Sequence, residues 1–354
     1  MDFDFPASAG WTRENRKSRL PRLGYRIMER TSVKARDGAE DKRRNKKTGR
    51  ARKNLFLRFW PLYLMLLPLV VYLFIFNYYP MFGLQIAFKD WYVRKGIWGS
   101  PWATTDGKLD LFKHFSQLFG TALFKEKLIN TLRISLLKML FGFPAPILLV
   151  LALNEVPSAR FAKFMQSVSY IPHFLSWVVL GGIFLSLDKS DAFQNIMIKL
   201  TGGNVHFFSD DDLYIAFLIF SDVYKEAGWG TIIYLATLMN IDPQLYEAAS
   251  LDGAGRFKKI LYITLPGLLP AISFNAILTL SNVMYAGFDQ IYNTYNTVLS
   301  GKGETLEMYL FSLGITGGDY SLSTAIGLFN SAIGCMLVII TNKITKLIGG
   351  EGIW

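Results

Sequence analysis

The chain has 354 residues, of which 51% are apolar and 15% aromatic, and it carries a formal net charge of +11. This apolar content exceeds that of an ordinary soluble domain and predicts a membrane protein. A single cysteine excludes a disulfide framework and a cysteine-based metal site. The three histidines are far apart in sequence and form no His-Glu-x-x-His pair, which argues against a membrane-embedded metalloenzyme.

The chain begins with a basic tail. The segment before Pro61 holds 18 Lys and Arg against seven Asp and Glu, so this end carries the whole net charge. It offers few apolar residues for a core, and we predict a disordered tail over residues 1–58. Because an apolar stretch follows it directly, a solvated tail near anionic lipid is favoured over one that binds nucleic acid.

Six apolar stretches are long enough to cross a bilayer, whose core needs about 20 apolar residues in a helix. They lie at about residues 59–79, 129–153, 164–187, 213–239, 267–287 and 322–341. Lys and Arg before the first stretch and after the last predict that both termini are cytoplasmic, by the positive-inside rule. The outer segments then cover residues 80–127, 188–212 and 288–321.

The fourth stretch differs from the others because it carries three charges in its middle. Asp222 and Glu226 are four residues apart and share one face of a helix, with Lys225 beside them. Charges inside a membrane are costly, and they pair with one another or line a water-filled path. Two interpretations stay open: an internal ion pair at a subunit interface, or a role in a translocation path.

The fifth stretch carries a polar stripe that is a candidate for contact with a substrate. It contains Asn275, Thr279, Asn282 and Tyr285, and the first three recur at helical spacing. Amides, hydroxyls and aromatic faces are the groups that bind sugars. Hydrogen bonding between neighbouring helices explains the same pattern equally well.

Two further groups of charges have a structural and a functional interpretation. Arg133 and Lys138 in the second stretch either snorkel or face a polar cavity, or they contact the substrate directly. The acidic run Asp210-Asp211-Asp212 lacks the spacing of a calcium-binding loop, so we predict solvated charges there and no metal site.

The polar segment between the fourth and fifth stretches predicts two helices joined by a turn. Asp242 and Pro243 are helix-start signals, and Gly253 permits a sharp change of direction. A second helix is predicted over residues 254–265, with Pro266 opening the next apolar run.

This segment resembles the cytoplasmic coupling loop of bacterial binding-protein-dependent ABC importers. The shared pattern is Glu-Ala-Ala, three residues, Gly, nine residues, Ile, one residue and Leu-Pro, and here its positions are Glu247, Ala248, Ala249, Gly253, Ile263, Leu265 and Pro266. The likeness to the maltose-type sugar permeases extends over about residues 60–346. Within it, Asn77–Met81 and Ala87–Asp90 are similar to the branch that handles oligosaccharides and polysaccharide fragments.

The resemblance implies an all-α fold: a polytopic protein with six transmembrane helices, as in type I ABC importer permeases. It implies a permease domain over residues 59–346 with a coupling loop over residues 240–266, and a cytoplasmic tail over residues 347–354. The implied location is the bacterial inner membrane. The implied substrate is an oligosaccharide or polysaccharide fragment, and Arg133 and Lys138 admit an acidic one such as an alginate-type uronate oligomer.

The resemblance also implies partners. These are a second permease subunit, two ATP-binding subunits and a periplasmic or extracellular solute-binding protein. The sequence has no Gly-rich phosphate loop ending in Gly-Lys-Ser/Thr, so we predict that the chain is not itself an enzyme. It would hold no cofactor, and ATP and magnesium would be used by the partner ATPase.

The residues assigned by the resemblance to ATPase coupling are Glu247, Ala248, Ala249, Asp252, Gly253 and Phe257. Glu247 would pair with a basic residue of the ATPase, the two alanines keep the helix slim enough to seat in a groove, and Gly253 sets the turn. The structural alternative is a surface amphipathic helix between two spans. The rival function is a proton-coupled carrier without ATP, in which Asp222 and Glu226 would be the coupling carboxylates.

Overall fold

The computed structural model describes residues 59–296, 298–299 and 301–347, so the predicted tails at residues 1–58 and 348–354 lie outside it. The described residues fall into two units, which meet between Phe82 and Gly83 in the chain. The described part is helical apart from short connections and one small hairpin. The predicted all-α class is confirmed.

In the first unit, the described residues 59–82 are helical and all of them are exposed. They belong to helix α1, which runs over Phe59–Phe88. A helix that is apolar all round and exposed is suited to contact with lipid. The predicted end at residue 79 is wrong, because the chain continues as a tighter 3₁₀ helix over Tyr79–Phe88 that accommodates Pro80.

The second unit contains the remaining elements. In chain order they are α2 (Gly96–Gly99), β1 (Thr104–Thr105), β2 (Lys108–Leu109), α3 (Lys113–Gly120), α4 (Ala122–Gly142), α5 (Pro144–Asn154), α6 (Ala159–Phe174), α7 (Trp177–Asp188), α8 (Asp191–Thr201), α9 (Asp211–Leu238), α10 (Pro243–Leu251), α11 (Arg256–Ser281), α12 (Phe288–Thr294), α13 (Leu306–Thr316) and α14 (Tyr320–Leu347). The strands β1 and β2 pair antiparallel, with Thr104 opposite Leu109.

Helix α9 is the centre of this unit. It packs against α4, α5, α6 and α11, and α11 packs in turn against α14. One apolar cluster joins Ile134 of α4 to Tyr214 and Leu218 of α9, and a second joins Val150 of α5 to Leu268 of α11. Helix α9, which carries three charges in its middle, is therefore held in place by neighbouring helices on several sides.

Four described helical segments are long and apolar enough to cross a membrane: α1, α4 with α5, α11 and α14. The pair α6 and α7 makes a fifth if it is counted as one broken span. Helix α9 carries three charges in its middle, and its 28 residues extend about 42 Å, enough for a bilayer. These helices are compatible with six spans, and the count stays a prediction.

The predicted third span is broken. Helices α6 and α7 are bent by 97° relative to each other across two residues. Pro172 lies in the last turn of α6, and Ser176 caps α7 by accepting a hydrogen bond from the backbone N–H of Val179. The sequence analysis predicted a single span over residues 164–187 and did not indicate this bend.

The prediction that a helix ends before Pro266 is wrong. Helix α11 is continuous over Arg256–Ser281. It therefore begins eleven residues before the start of the predicted fifth span, at residue 267, and ends six residues before that span's predicted end, at residue 287. The turn over Ile260–Thr264 is wound as a wider π-helix directly before the proline. Since such a turn already departs from regular i to i−4 bonding, it accommodates the missing N–H.

The predicted outer segments also contain helices that the sequence did not indicate. Helix α8 lies within residues 188–212, and α12 and α13 lie within residues 288–321. They are short, so few apolar repeats mark them in the sequence. Packing stabilises α12 and α13, as the fully buried Ile291 of α12 and Leu306 of α13 show.

Candidate functional site

A cavity of about 580 Å³ opens between α4, α5, α9, α11 and the segment that follows α11. Its polar and aromatic lining includes Ser135, Lys138, Asp222, Glu226, Trp229, Tyr234, Asn275, Thr279, Asn282 and Tyr285. The structure thus brings together the four candidate substrate residues of the fifth stretch and two of the three charges of the fourth.

Two of the four candidates from the fifth stretch lie on a helix, and the other two lie in the segment that follows it. Asn275 and Thr279 lie on α11, whereas Asn282 follows its last residue and Tyr285 lies in the next turn. The amide nitrogens of Asn275 and Asn282 each donate to a carbonyl oxygen four residues earlier, at 3.2 and 3.0 Å. Asn275 also bonds with the hydroxyl of Tyr234 on α9. Contact with a substrate and bonding between helices are therefore both available to this group.

Lys138 is the cation in the cavity lining, and its ammonium group is bonded to protein groups. Its Nζ donates to the carbonyl oxygen of Ala286 at 2.8 Å and to Oε1 of Gln290, and it lies 3.4 Å from Oδ1 of Asp222. Gly287 has a φ of +92°, and a Cβ atom there would lie 2.8 Å from Lys138 Nζ. A glycine is therefore needed here, because another residue would strain the backbone and crowd the Lys138 ammonium group.

Gln290 extends this network into the core. Its Nε2 donates to the carbonyl oxygen of Leu218 at 2.9 Å and to Oγ of Ser221 at 2.7 Å, and the side chain is fully buried. These bonds join α12 to α9. Sequence reasoning missed Gln290, because a lone glutamine in a segment predicted to be a loop carries no signal.

Lys225 does not line the cavity. Its Nζ donates to the carbonyl oxygens of His173 and Leu175, at 2.6 and 2.9 Å, and lies 3.7 Å from Oε1 of Glu226. Those carbonyls are at the C-terminal end of α6, where the helix dipole favours a cation. Lys225 therefore stabilises the break between α6 and α7.

The same break orients two residues of the cavity wall. Nδ1 of His173 lies 2.8 Å from Oε2 of Glu226. The imidazole ring also stacks on Trp229, with centroids 4.3 Å apart and planes 3° from parallel. His173 thus links an acidic and an aromatic side chain of the cavity, a role that its isolated position in the sequence did not indicate.

Helix α9 approaches its neighbours closely through two glycines beside Trp229. A Cβ atom on Gly228 would lie 1.9 Å from the carbonyl oxygen of Ser169 in α6. A Cβ atom on Gly230 would lie 2.7 Å from Cγ of Pro146 in α5. Any larger residue would push these helices apart and move the tryptophan.

The remaining charges singled out in the sequence lie outside the cavity lining. Arg133 is half-exposed and lies 3.3 Å from Oδ1 of Asp212. Asp210 caps α9, because its Oδ1 accepts hydrogen bonds from the N–H groups of Asp212 and Leu213. Among the described residues, no three His, Cys, Asp or Glu side chains are grouped as a metal ion would require.

Helix α10 contains Glu247, Ala248 and Ala249 of the residues assigned to coupling, whereas Asp252 and Gly253 follow it and Phe257 lies in α11. Asp242 caps it by accepting from the N–H of Gln244 at 2.9 Å, and Pro243 is its first residue. Gly253 follows the helix with a φ of +73°, and the N–H of Ala254 donates to the carbonyl oxygen of Ala249 at 2.9 Å. This left-handed glycine turn is the geometry that ends a helix sharply.

Two hydrogen bonds fasten α10 to the start of α11. The hydroxyls of Tyr246 and Thr264 lie 2.9 Å apart, and Nζ of Lys259 donates to Oγ of Ser250 at 2.6 Å. Much of the segment is nevertheless exposed and partly apolar. The residues exposed there include Leu245, Glu247, Ala248, Leu251, Asp252, Gly253 and Phe257, with Leu251 at 90% and Phe257 at 77%. Exposed apolar side chains beside a charge indicate a docking surface.

The chain is similar to known proteins in both sequence and fold. The family described as "Binding-protein-dependent transport system inner membrane component" matches residues 142–349. Protein LplB of Bacillus subtilis (strain 168) is 38% identical over 296 residues, covering 83% of this chain and 91% of the relative. The polygalacturonan/rhamnogalacturonan transport system permease protein YteP of the same organism is 40% identical over 295 residues, covering 83% and 90%.

The fold is similar to that of a solved transporter chain. The crystal structure of a bacterial ABC transporter involved in the import of the acidic polysaccharide alginate contains a chain with 35% identity and a TM-score of 0.75, covering 83% of this chain and 97% of that one. A structure of the alginate transporter in complex with an alginate pentasaccharide-bound periplasmic protein matches with 34% identity and the same TM-score. The chain therefore belongs to the family of binding-protein-dependent transport system inner membrane components, the permease subunits of ABC importers.

Proposed function

We propose that this permease carries an oligosaccharide or polysaccharide fragment through the cavity between α4, α5, α9 and α11. The observation that carries the proposal is the cavity lining, which combines the rings of Trp229 and Tyr285 with the amides of Asn275 and Asn282. Sugars present apolar C–H faces and hydroxyl groups, so aromatic rings and amides together suit them.

The substrates named for the relatives support a saccharide that includes acidic forms. One relative is named for polygalacturonan and rhamnogalacturonan, and a solved relative imports alginate. The two cations that first suggested an acidic substrate give less support, because Lys138 contacts Asp222 and Arg133 contacts Asp212. Both acidic and neutral oligosaccharides therefore belong in a test.

The energy for transport would come from separate ATPase subunits that bind α10. The exposed side of α10 offers Glu247 for a basic residue of an ATPase, and the apolar Leu251 of α10 and Phe257 of α11 are exposed in the same segment. The bonds of Tyr246 and Ser250 to α11 would transmit a movement of α10 to the helix that carries Asn275 and Thr279. Coupling of this kind requires two states in which the ATPase contacts differ.

The assembly would contain this chain, a second permease subunit, two ATP-binding subunits and an external solute-binding protein. ATP and magnesium would be bound by the ATPases and not by this chain. Both termini and the segment of residues 240–266 would lie on the cytoplasmic side, which follows from the basic residues at the ends of the first and last spans.

The test is ATP hydrolysis by the purified transporter in membranes, with and without binding proteins loaded with acidic or neutral oligosaccharides. We expect one loaded binding protein to stimulate hydrolysis, and the sugar bound to that protein is then identified as the substrate. The variants Glu247→Arg and Gly253→Pro should abolish uptake while leaving membrane insertion intact. Uptake at the wild-type rate in both variants would exclude the coupling role of α10, and uptake without any ATPase would support a proton-coupled carrier instead.

A further inference from the structure

A short loop between α1 and α3 carries exposed apolar and basic side chains close together in the sequence. The loop covers residues 91–100 and contains α2. Tyr92 is 52% exposed, Val93 71% and Trp98 75%, and Arg94 and Lys95 are exposed as well. Large apolar side chains that are exposed together indicate a surface that contacts another molecule or a membrane.

Hydrogen bonds hold this loop in one conformation. Lys89 and Trp102 pair as an antiparallel bridge and close the loop at its base. Within the loop, the N–H of Tyr92 donates to Oγ of Ser100 at 3.0 Å, and that hydroxyl donates to the carbonyl oxygen of Gly96 at 2.8 Å. The exposed side chains therefore project from a backbone that is already fixed, which lowers the entropy lost when they bind a partner.

The loop lies at the end of a membrane-crossing helix. The N–H of Trp91 donates to Oγ of Ser321 at 3.1 Å, and the rings of Trp91 and Tyr320 have centroids 4.6 Å apart. Tyr320 and Ser321 are the first residues of α14. The 28 residues of α14 extend about 42 Å, close to the thickness of a bilayer with its headgroups. The first turn of α14, and the loop bonded to it, therefore lie at the level of the lipid headgroups.

The side chains of the loop are those that suit this level of a membrane. Tryptophan and tyrosine are enriched where hydrocarbon meets headgroups, and lysine and arginine are attracted to anionic lipids. Nζ of Lys95 lies 5.1 Å from the ring centroid of Tyr92, so a charge and an aromatic ring are presented together. Residues 91–105 contain no Asp or Glu, so no carboxylate of the loop itself competes with a lipid phosphate.

We propose that the loop of residues 91–100 inserts into the membrane interface, with Val93 and Trp98 beside the upper acyl chains and Arg94 and Lys95 at the phosphates of anionic phospholipids. In the orientation proposed above, this is the outer leaflet. Because Trp91 is bonded to α14, insertion of the loop would hold the first turn of that helix at the interface. The inference goes beyond the proposed function and does not depend on the substrate.

The test is quenching of Trp98 fluorescence by phospholipids with brominated acyl chains, with the complete transporter in nanodiscs. Since the chain has eight tryptophans, the signal of Trp98 is taken as the difference between each protein and its Trp98→Phe variant. We expect bromine close to the headgroup to quench this signal more than bromine at the bilayer centre. Brominated phosphatidylglycerol should quench it at about a fifth of the mole fraction that brominated phosphatidylcholine requires, the effect of one basic residue beside an anionic lipid.

Two variants with matched controls test the apolar and the basic residues separately. Val93→Asp should lower the quenching of Trp98 by either lipid, because a carboxylate at this position disfavours insertion. Val298→Asp makes the same change at a residue that is 68% exposed in another loop, and it should leave the quenching unchanged. Lys95→Gln should weaken the preference for phosphatidylglycerol, whereas Lys108→Gln, at an exposed lysine of β2, should preserve it.

A Trp98 signal that no brominated lipid quenches in the assembled transporter overturns the proposal, and so does quenching that Val93→Asp leaves unchanged. Protection of Trp98 from aqueous iodide would then identify what covers the loop instead. Protection in the transporter alone would indicate the second permease subunit, and protection only after addition of the solute-binding protein would indicate that protein. No substrate enters these measurements, so their outcome is separate from that of the uptake and ATPase tests.

Discussion

The ammonium of Lys225 lies 2.6 Å from the carbonyl oxygen of His173, across the gap between α9 and the broken end of α6. The neighbouring Glu226 bonds to the imidazole of the same histidine at 2.8 Å. Two consecutive residues of α9 thus hold one residue at the break, one through its backbone and one through its side chain. Because Glu226 also lines the cavity, the geometry of the break and that of the cavity depend on each other.

Replacing Lys225 with Met should destabilise the transporter. The change leaves the carbonyl oxygens of His173 and Leu175 without their buried donor, at a cost of about 1–3 kcal/mol. The measurement is thermal unfolding of the purified complex together with its uptake rate. Lys302→Met, at an exposed lysine, is the control and should leave both unchanged. Equal unfolding temperatures for Lys225→Met and wild type would show that Lys225 does not stabilise the break.

Adding one methyl group to α9 should have a large effect at Gly228. In Gly228→Ala the new Cβ would lie 1.9 Å from the carbonyl oxygen of Ser169, so α6 and α9 must separate. Overpacking of this kind costs about 1–3 kcal/mol and would shift Trp229, so we expect lower stability and reduced uptake. Gly182→Ala in α7 is the matched control, because no atom lies within 4 Å of its Cβ position. Wild-type uptake in both variants would contradict the close approach of the two helices.

The link between α10 and α11 should matter more for coupling than for folding. Tyr246→Phe removes the hydroxyl that lies 2.9 Å from Thr264, a bond worth about 0.5–1.5 kcal/mol. We expect the complex to assemble and hydrolyse ATP, but to import fewer sugar molecules per ATP. Tyr262→Phe, at an exposed tyrosine of α11, should keep the wild-type ratio. If Tyr246→Phe also keeps that ratio, the hydroxyl bond does not transmit movement.

The sequence was sufficient where a local rule decides the conformation. Asp242 and Pro243 mark the start of α10, and Gly253 adopts the left-handed turn that ends it. Each of these follows from side-chain hydrogen bonding or backbone restriction within a few residues. The bounds of α9 likewise lie within two residues of those predicted for the fourth stretch, residues 213–239.

The parts that the sequence did not predict depend on contacts between distant segments. Lys225 and Asp222 are three residues apart, yet one bonds to α6 and the other faces the cavity beside Lys138. The hydrogen bonds of Gln290 arise only when α12 and α9 pack together. Local sequence patterns predict which residues share one face of a helix. Which neighbouring helix that face contacts depends on tertiary packing.

The connection from α2 to α3 should respond to acid through Asp90. Its carboxylate accepts hydrogen bonds from Nζ of Lys113 at 2.7 Å and from the N–H of Thr104 at 3.2 Å, and His114 Nε2 lies 3.4 Å away. Burial acts to raise the pKa of Asp90, but the bonds to Lys113 and Thr104 outweigh it, so the pKa is lowered. The folded state therefore favours the charged form.

The sign of the pH effect follows from that lowered pKa. Its stabilising contribution is complete above the unfolded pKa of about 3.9 and is lost as the pH falls through the lower pKa of the folded state. The protection of residues 89–121 against hydrogen exchange, measured relative to the intrinsic exchange rate at each pH, should therefore fall below about pH 4 in the wild type. In Asp90→Asn, exchange should be faster at neutral pH and depend less on acid, whereas Asp106→Asn, at an exposed aspartate, should match the wild type. If Asp90→Asn showed the same dependence on acid as the wild type, the titration of another group would be responsible for that dependence.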